Sequence, residues 1–163
     1  MEAERLISAG RHALAQCRDA LQVVTEAWEA QALAQVIGSQ LALCGPKELR
    51  GEARALGEGG GRGGGPASPI DVPLLRAGSP RAAQLTAVSD PLRALTLLSA
   101  LLGEVGIALV GVACGTDEEG LYWQCIEAID ATDESGDRVR AMLRRLSAHE
   151  SGRVGPDSAT SPP

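Results

Sequence analysis

From Pro91 to Cys114 the chain is apolar on every side of a helix: Leu92, Leu95, Leu97, Leu98, Leu101, Leu102, Val105, Ile107, Leu109, Val110 and Val112 leave no polar face. A helix of that kind is either the buried centre of a bundle or a membrane span. About 20 apolar residues suffice to cross a bilayer, but Glu104 sits near the middle and would cost roughly 3 kcal/mol there. Gly103, Gly106 and Gly111 favour close contact with another helix. A buried central helix in a soluble bundle is therefore expected, with no membrane involved. Its ends are marked: Asp90 stands at the N-cap, Pro91 at the first helical position and Gly115 at the end.

Two further long helices are expected. Over residues 3–44, Ile7, Leu14, Cys17, Leu21, Val24 and Trp28 recur at steps of three, four and seven, which puts them on one helical stripe. After Glu29 no charge appears before Lys47, and Leu33, Val36, Ile37, Leu41 and Leu43 widen the apolar face. Gly45 and Pro46 stop this helix. A short helix from Lys47 to Leu56 then carries Leu49, Ala53 and Leu56 on one face, weakened by Gly51.

Thr116 and Glu119 form a capping-box signature that starts the last helix after a one-glycine turn, so that it pairs with residues 91–114 as a hairpin. Tyr122, Cys125, Ile129, Thr132, Gly136, Val139, Leu143 and Leu146 alternate at three and four, a heptad-like seam. The fold class expected is all-α: an antiparallel helical bundle of three long helices plus one short helix. At 1.5 Å per residue the three long helices measure about 63, 37 and 46 Å. The first is too long for the others. It either bends between Asp19 and Thr25, where Asp19 and Gln22 offer an internal cap, or overhangs to meet a second copy.

The run Gly59 to Gly65, broken only by Arg62, leads into Pro66, Pro69, Pro73 and Pro80 and reads as a linker, because glycine and proline there cannot offset their ordering cost by burial. A phosphate cradle would need a preceding strand and a following Lys-Ser or Lys-Thr. The organisation expected is N-terminal helices over 1–56, a flexible linker over 57–88, a helical hairpin of the same bundle over 89–149 and a disordered tail over 150–163. The apolar island Ile70, Val72, Leu74 and Leu75 is placed to dock on the helices.

No constellation of reactive side chains emerges. His12 and His149 are the two histidines, and neither belongs to a motif. Cys17, Cys44, Cys114 and Cys125 stand singly, without the close ligand pairs of a zinc site, and read as reduced thiols, with Cys17 and Cys125 on apolar stripes. The N-terminus lacks the basic-then-apolar order of a signal peptide, so a cytoplasmic setting is expected. Asp130, Asp133, Glu134 and Asp137 lack the order of a calcium loop. The net charge of −6 and the absence of a basic stripe argue against nucleic acid. Arg138, Arg140, Arg144 and Arg145 close a helix that opens with Asp117, Glu118 and Glu119, and so complement its dipole. No catalytic, cofactor-binding or metal-binding residues are assigned, and the chain is not expected to be an enzyme.

Four residues are singled out as ligand or interface candidates: Trp28, Glu104, Tyr122 and Trp123. With no Phe and one Tyr, each ring is a landmark. Glu104, alone in an apolar helix, would have its pKa raised by burial, but pairing with an arginine such as Arg11 or Arg18, or a place at the bundle edge, is expected instead. Tyr122 lies on the seam, and Trp123 about 100° away from it.

The stretch Glu26-Ala27-Trp28-Glu29-Ala30-Gln31-Ala32-Leu33-Ala34-Gln35, with Gly45-Pro46 and Arg50-Gly51-Glu52-Ala53-Arg54 after it, resembles an uncharacterised family of small helical actinobacterial proteins. The resemblance covers mainly the N-terminal third and implies no activity. The leading functional expectation is a non-catalytic helical protein acting through protein contacts or self-association. One alternative is a small-molecule-binding regulator with a pocket near Glu104, Trp28 and Tyr122, where bundles commonly place ligands. Another is an exported helical hairpin, although the Trp-x-Gly turn of that class is missing after both Trp28 and Trp123.

Overall fold

The helix expected over residues 3–44 is two helices. The computed structural model describes residues 1–59 and 79–153, and within them α1 covers Ala3–Ala15, α2 Ala20–Cys44, α3 Arg50–Glu58, α4 Pro91–Gly115 and α5 Glu119–Arg153. All five pack together, and among the described residues there is no sheet, only an isolated parallel bridge between Glu2 and Ala87. The break after Ala15 falls slightly before the expected bend. Asp19 takes an extended conformation and its carboxylate accepts the Gln22 N–H at 2.8 Å, while the Gln22 side chain accepts the Arg18 N–H at 2.8 Å. This mutual capping starts α2 afresh. It also resets the helical phase, which is why Leu21 is exposed while Ile7 and Val24 on either side are buried.

The centre of the bundle is α2, not α4. It touches all four other helices and buries Val24, Ala27, Ala30, Leu33, Ala34, Ile37 and Leu41. Val36 and Leu43, expected on the same face, are exposed. Past Gly45, a 3-10 turn over Lys47–Leu49 leads into α3, whose Ala53 and Leu56 are buried together with Leu49. The crossing of α2 and α3 is close because residue 38 is glycine: a Cβ there would lie 2.8 Å from both the Ala53 carbonyl oxygen and the Gly57 nitrogen.

Of the stretch expected as a linker, Gly57 and Glu58 complete α3 and residues 79–88 lie along the bundle. The Ser79 hydroxyl donates to the buried Glu29 carboxylate and accepts the Ala82 N–H at 3.1 Å. Arg81 pairs with Glu26 at 2.8 Å. Ala3 N–H donates to the Ala87 carbonyl, and Thr86 N–H to that of Met1. The glycine run from Gly60 onward, the island from Ile70 to Leu75 and residues 154–163 lie outside the described residues.

Asp90 caps α4 as expected, accepting the Arg93 N–H at 3.0 Å with Pro91 behind it. The helix buries Ala94, Leu95, Leu98, Leu101, Leu102, Val105 and Leu109 against α1, α2 and α5. Its opposite side is open, with Leu92, Ile107 and Val110 exposed. Three residues, not one glycine, connect α4 to α5, and the Thr116 hydroxyl accepts the Glu118 N–H at 3.1 Å without reaching Glu119. The buried stripe of α5 is Cys125, Ala128, Thr132, Ser135, Gly136, Val139 and Met142, so the expected seam is partly displaced. Ser135 exchanges two hydrogen bonds with buried Gln31, at 2.8 and 3.0 Å, which fixes α5 against α2.

Candidate interaction groove

Each of the four candidate residues has a definite place. Glu104 is tied to Arg11: the guanidinium Nε donates to both carboxylate oxygens at 3.1 and 3.0 Å, and Nη2 donates to Oε1 at 2.5 Å. The Arg11 hydrogen bonds, aided by its charge, hold the Glu104 carboxyl below its ordinary pKa, and this outweighs the opposing effect of burial. The pairing expected with Arg11 is therefore the one present, and the raised pKa of an unpaired acid does not apply. Trp28 is partly buried and packs on the core. Tyr122 and Trp123 are exposed, at 39% and 58%, with ring centroids 5.4 Å apart in an edge-to-face arrangement.

A concave surface lies elsewhere. A groove of about 370 Å³ runs between α4 and α5. Leu102, Gly103, Gly106, Ile107 and Val110 line it from α4, and Ile129, Thr132, Asp133, Gly136 and Arg140 from α5. None of the four candidates lines it. Tyr122 still belongs to the same side of α5, because it precedes Ile129 by seven residues and Gly136 by fourteen, two and four helical turns.

Sequence produces this groove in two ways. On α4 the glycines leave parts of the groove wall without side chains. Among the described residues, a Cβ added at Gly103, Gly106 or Gly111 would meet nothing within 4 Å, so these glycines make no close helix contact there. On α5, Gly136 is bare except for Arg140, whose guanidinium folds to within 3.3 Å of where a Cβ would stand and reaches Asp137 at 2.5 Å. Between these low points Ile107 is 76% and Val110 49% exposed. The groove is therefore apolar along its length, with one acid and one base on its α5 wall.

Signals for this face were present in the sequence. Gly103, Gly106, Ile107 and Val110 follow helical steps of three, one and three, and Tyr122, Ile129 and Gly136 repeat every seven. Sequence alone assigns the glycines to close helix contact and Tyr122, Ile129 and Gly136 to a packing seam, because an apolar residue at helical spacing reads equally as core.

The other polar clusters are occupied by structural pairings. Arg138 and Arg145 both reach Glu52 of α3, at 3.3 and 3.7 Å. A second, much smaller cavity of about 40 Å³ lies among Gln31, Leu56, Ser135 and Arg138. Burial pushes the thiols of Cys17 and Cys125 above their ordinary pKa. Among the described residues no three His, Cys, Asp or Glu side chains group as a metal ion would require.

No curated protein and no solved structure matches the chain. A family of unknown function, DUF6099, matches residues 1–145, a span that contains α1 to α4 and the whole groove, and the chain therefore belongs to that family.

Proposed function

We propose that this protein is a non-catalytic helical module that works through protein contacts, with the α4–α5 groove as its docking surface. The observation that carries this reading is the exposed apolar face of α4, where Ile107 and Val110 stand beside three open glycines. Glycine costs about 1 kcal/mol relative to alanine inside a helix. Among the described residues nothing packs closely against the three on this exposed face, whereas a partner segment seated there would gain close backbone approach. The aromatic pair Tyr122–Trp123 stands at the hairpin end of the same helix pair, where exposed rings serve as anchors. The four free cysteines support a reducing, cytoplasmic setting.

By length and composition α4 is also the one described helix able to cross a bilayer. A protein partner is favoured over lipid because the face is concave and carries Asp133 and Arg140 on its wall.

The test is site-specific photo-crosslinking in the cells that make the protein, with the reactive residue at position 107 and, as control, at exposed Glu127. Protein adducts at 107 and not at 127 are expected. Equal labelling at both positions, no adduct at 107, or adducts with lipid alone would overturn the proposal.

A further inference from the structure

We infer that the occupant of the groove is a second copy of this chain, which docks groove to groove about a two-fold axis. This rests on the reading of the groove as a protein-docking surface and names its partner.

Charge is the first argument. The chain carries a net charge of −6, so two copies repel over most of their surfaces. The groove is the exception, since its lining holds one acid, Asp133, and one base, Arg140. They are seven residues apart on α5 and therefore two helical turns apart on the same side. A two-fold contact reverses the groove end for end, so each residue i that meets j has its counterpart j meeting i. The Arg140 end of one copy then meets the Asp133 end of the other, twice over. A surface with one charge of each sign at separated positions is complementary to its own reversal.

Shape is the second argument. On α4 the exposed Ile107 stands one turn from Gly103, and the exposed Val110 one turn from Gly106. The same helix thus presents both the projections and the depressions of a helix–helix contact. Antiparallel pairing sets Ile107 of one copy over the open backbone at Gly103 of the other. Arg140, which now folds over Gly136 toward Asp137, has an acidic partner in either state and is not left unpaired when the copies separate.

The experiment is sedimentation velocity on the full chain over a concentration series, alongside Ile107→Asp, Asp133→Arg, Arg140→Asp and the double charge swap. A species of twice the 16.8 kDa chain mass is expected for the wild type. Ile107→Asp should be monomeric with unchanged helical circular dichroism, since residue 107 makes little contact within its own chain. Each single charge change should weaken association by about tenfold, and the double swap should restore it to within a few-fold of wild type. A monomer at every concentration, or a dimer indifferent to Ile107→Asp, overturns the inference. So does a double swap that adds the two losses. The photo-crosslinking result separates the two proposals: adducts to another polypeptide from a monomeric chain sustain the docking surface and remove the second copy.

Discussion

The helices α2 and α4 are each 25 residues long and largely apolar, yet they occupy opposite situations. α2 is surrounded by the other four helices. α4 is covered by α1, α2 and α5 on one side and open on the other. Their glycines show the same contrast: Gly38 of α2 is pressed against the α3 backbone, while Gly103, Gly106 and Gly111 of α4 have no described residue within 4 Å of where a Cβ would stand. Helical apolarity therefore has two separate placements here. In α2 it builds the core; in α4 half of it builds the core and half lies on the exposed side.

The contrast is sharpest for side chains of similar size. Leu33 of α2 is wholly buried, and Leu33→Ala is expected to cost about 2–5 kcal/mol in chemical denaturation, through lost burial and the cavity left behind. Ile107→Ala, which removes comparable apolar volume from the open face of α4, should stay within about 0.5 kcal/mol in dilute solution. Equal losses at the two positions would mean that the open face is covered within the chain.

The glycines provide the next effect, with opposite signs. Gly38→Ala forces a Cβ against two backbone atoms that have little room to yield, and a loss of about 1–3 kcal/mol is expected. Gly106→Ala meets nothing and should raise the thermal stability of the monomer by up to about 1 kcal/mol through helix propensity. In the association assay the same change should weaken self-pairing, because the added methyl groups hold the two copies apart. A Gly106→Ala variant both more stable and equally well associated would show that close approach at α4 is not used.

Much of the fold was legible in advance. Asp90-Pro91, the Gly45-Pro46 stop and the Leu49, Ala53 and Leu56 stripe all reappear, because capping and helical spacing are local properties. The division of the first helix was half legible: Asp19 and Gln22 were visible as a cap, but nothing local decided between a cap inside a continuous helix and a new start. Which apolar helix occupies the centre was not legible. α4 is apolar all round and α2 carries Gln31 and Glu29, yet α2 is enclosed, because Gln31 finds Ser135 and Glu29 finds Ser79 across long sequence separations. The groove was hidden for the same reason, since Ile107 and Leu109 look alike until the packing of α5 exposes one and buries the other.

The smallest expected effect concerns the one acid of α4. Arg11 reaches Glu104 from α1 with a forked set of hydrogen bonds, and both side chains remain about two-fifths exposed, 41% and 40%. The folded-state pKa of Glu104 therefore lies below its ordinary 4.5, chiefly through those hydrogen bonds. A carboxylate with a depressed folded pKa contributes stability above its unfolded pKa and loses it as pH falls through the folded value. Wild type should accordingly exceed Glu104→Gln in stability near neutral pH, with the gap closing below about pH 4. Solvent screening keeps the gap small, and added salt should narrow it further. Denaturation of both proteins across that pH range checks the sign. A gap that widened toward acid would mean that Glu104 is held neutral in the fold, and α4 would then carry an isolated acid where the structure shows a salt bridge to α1.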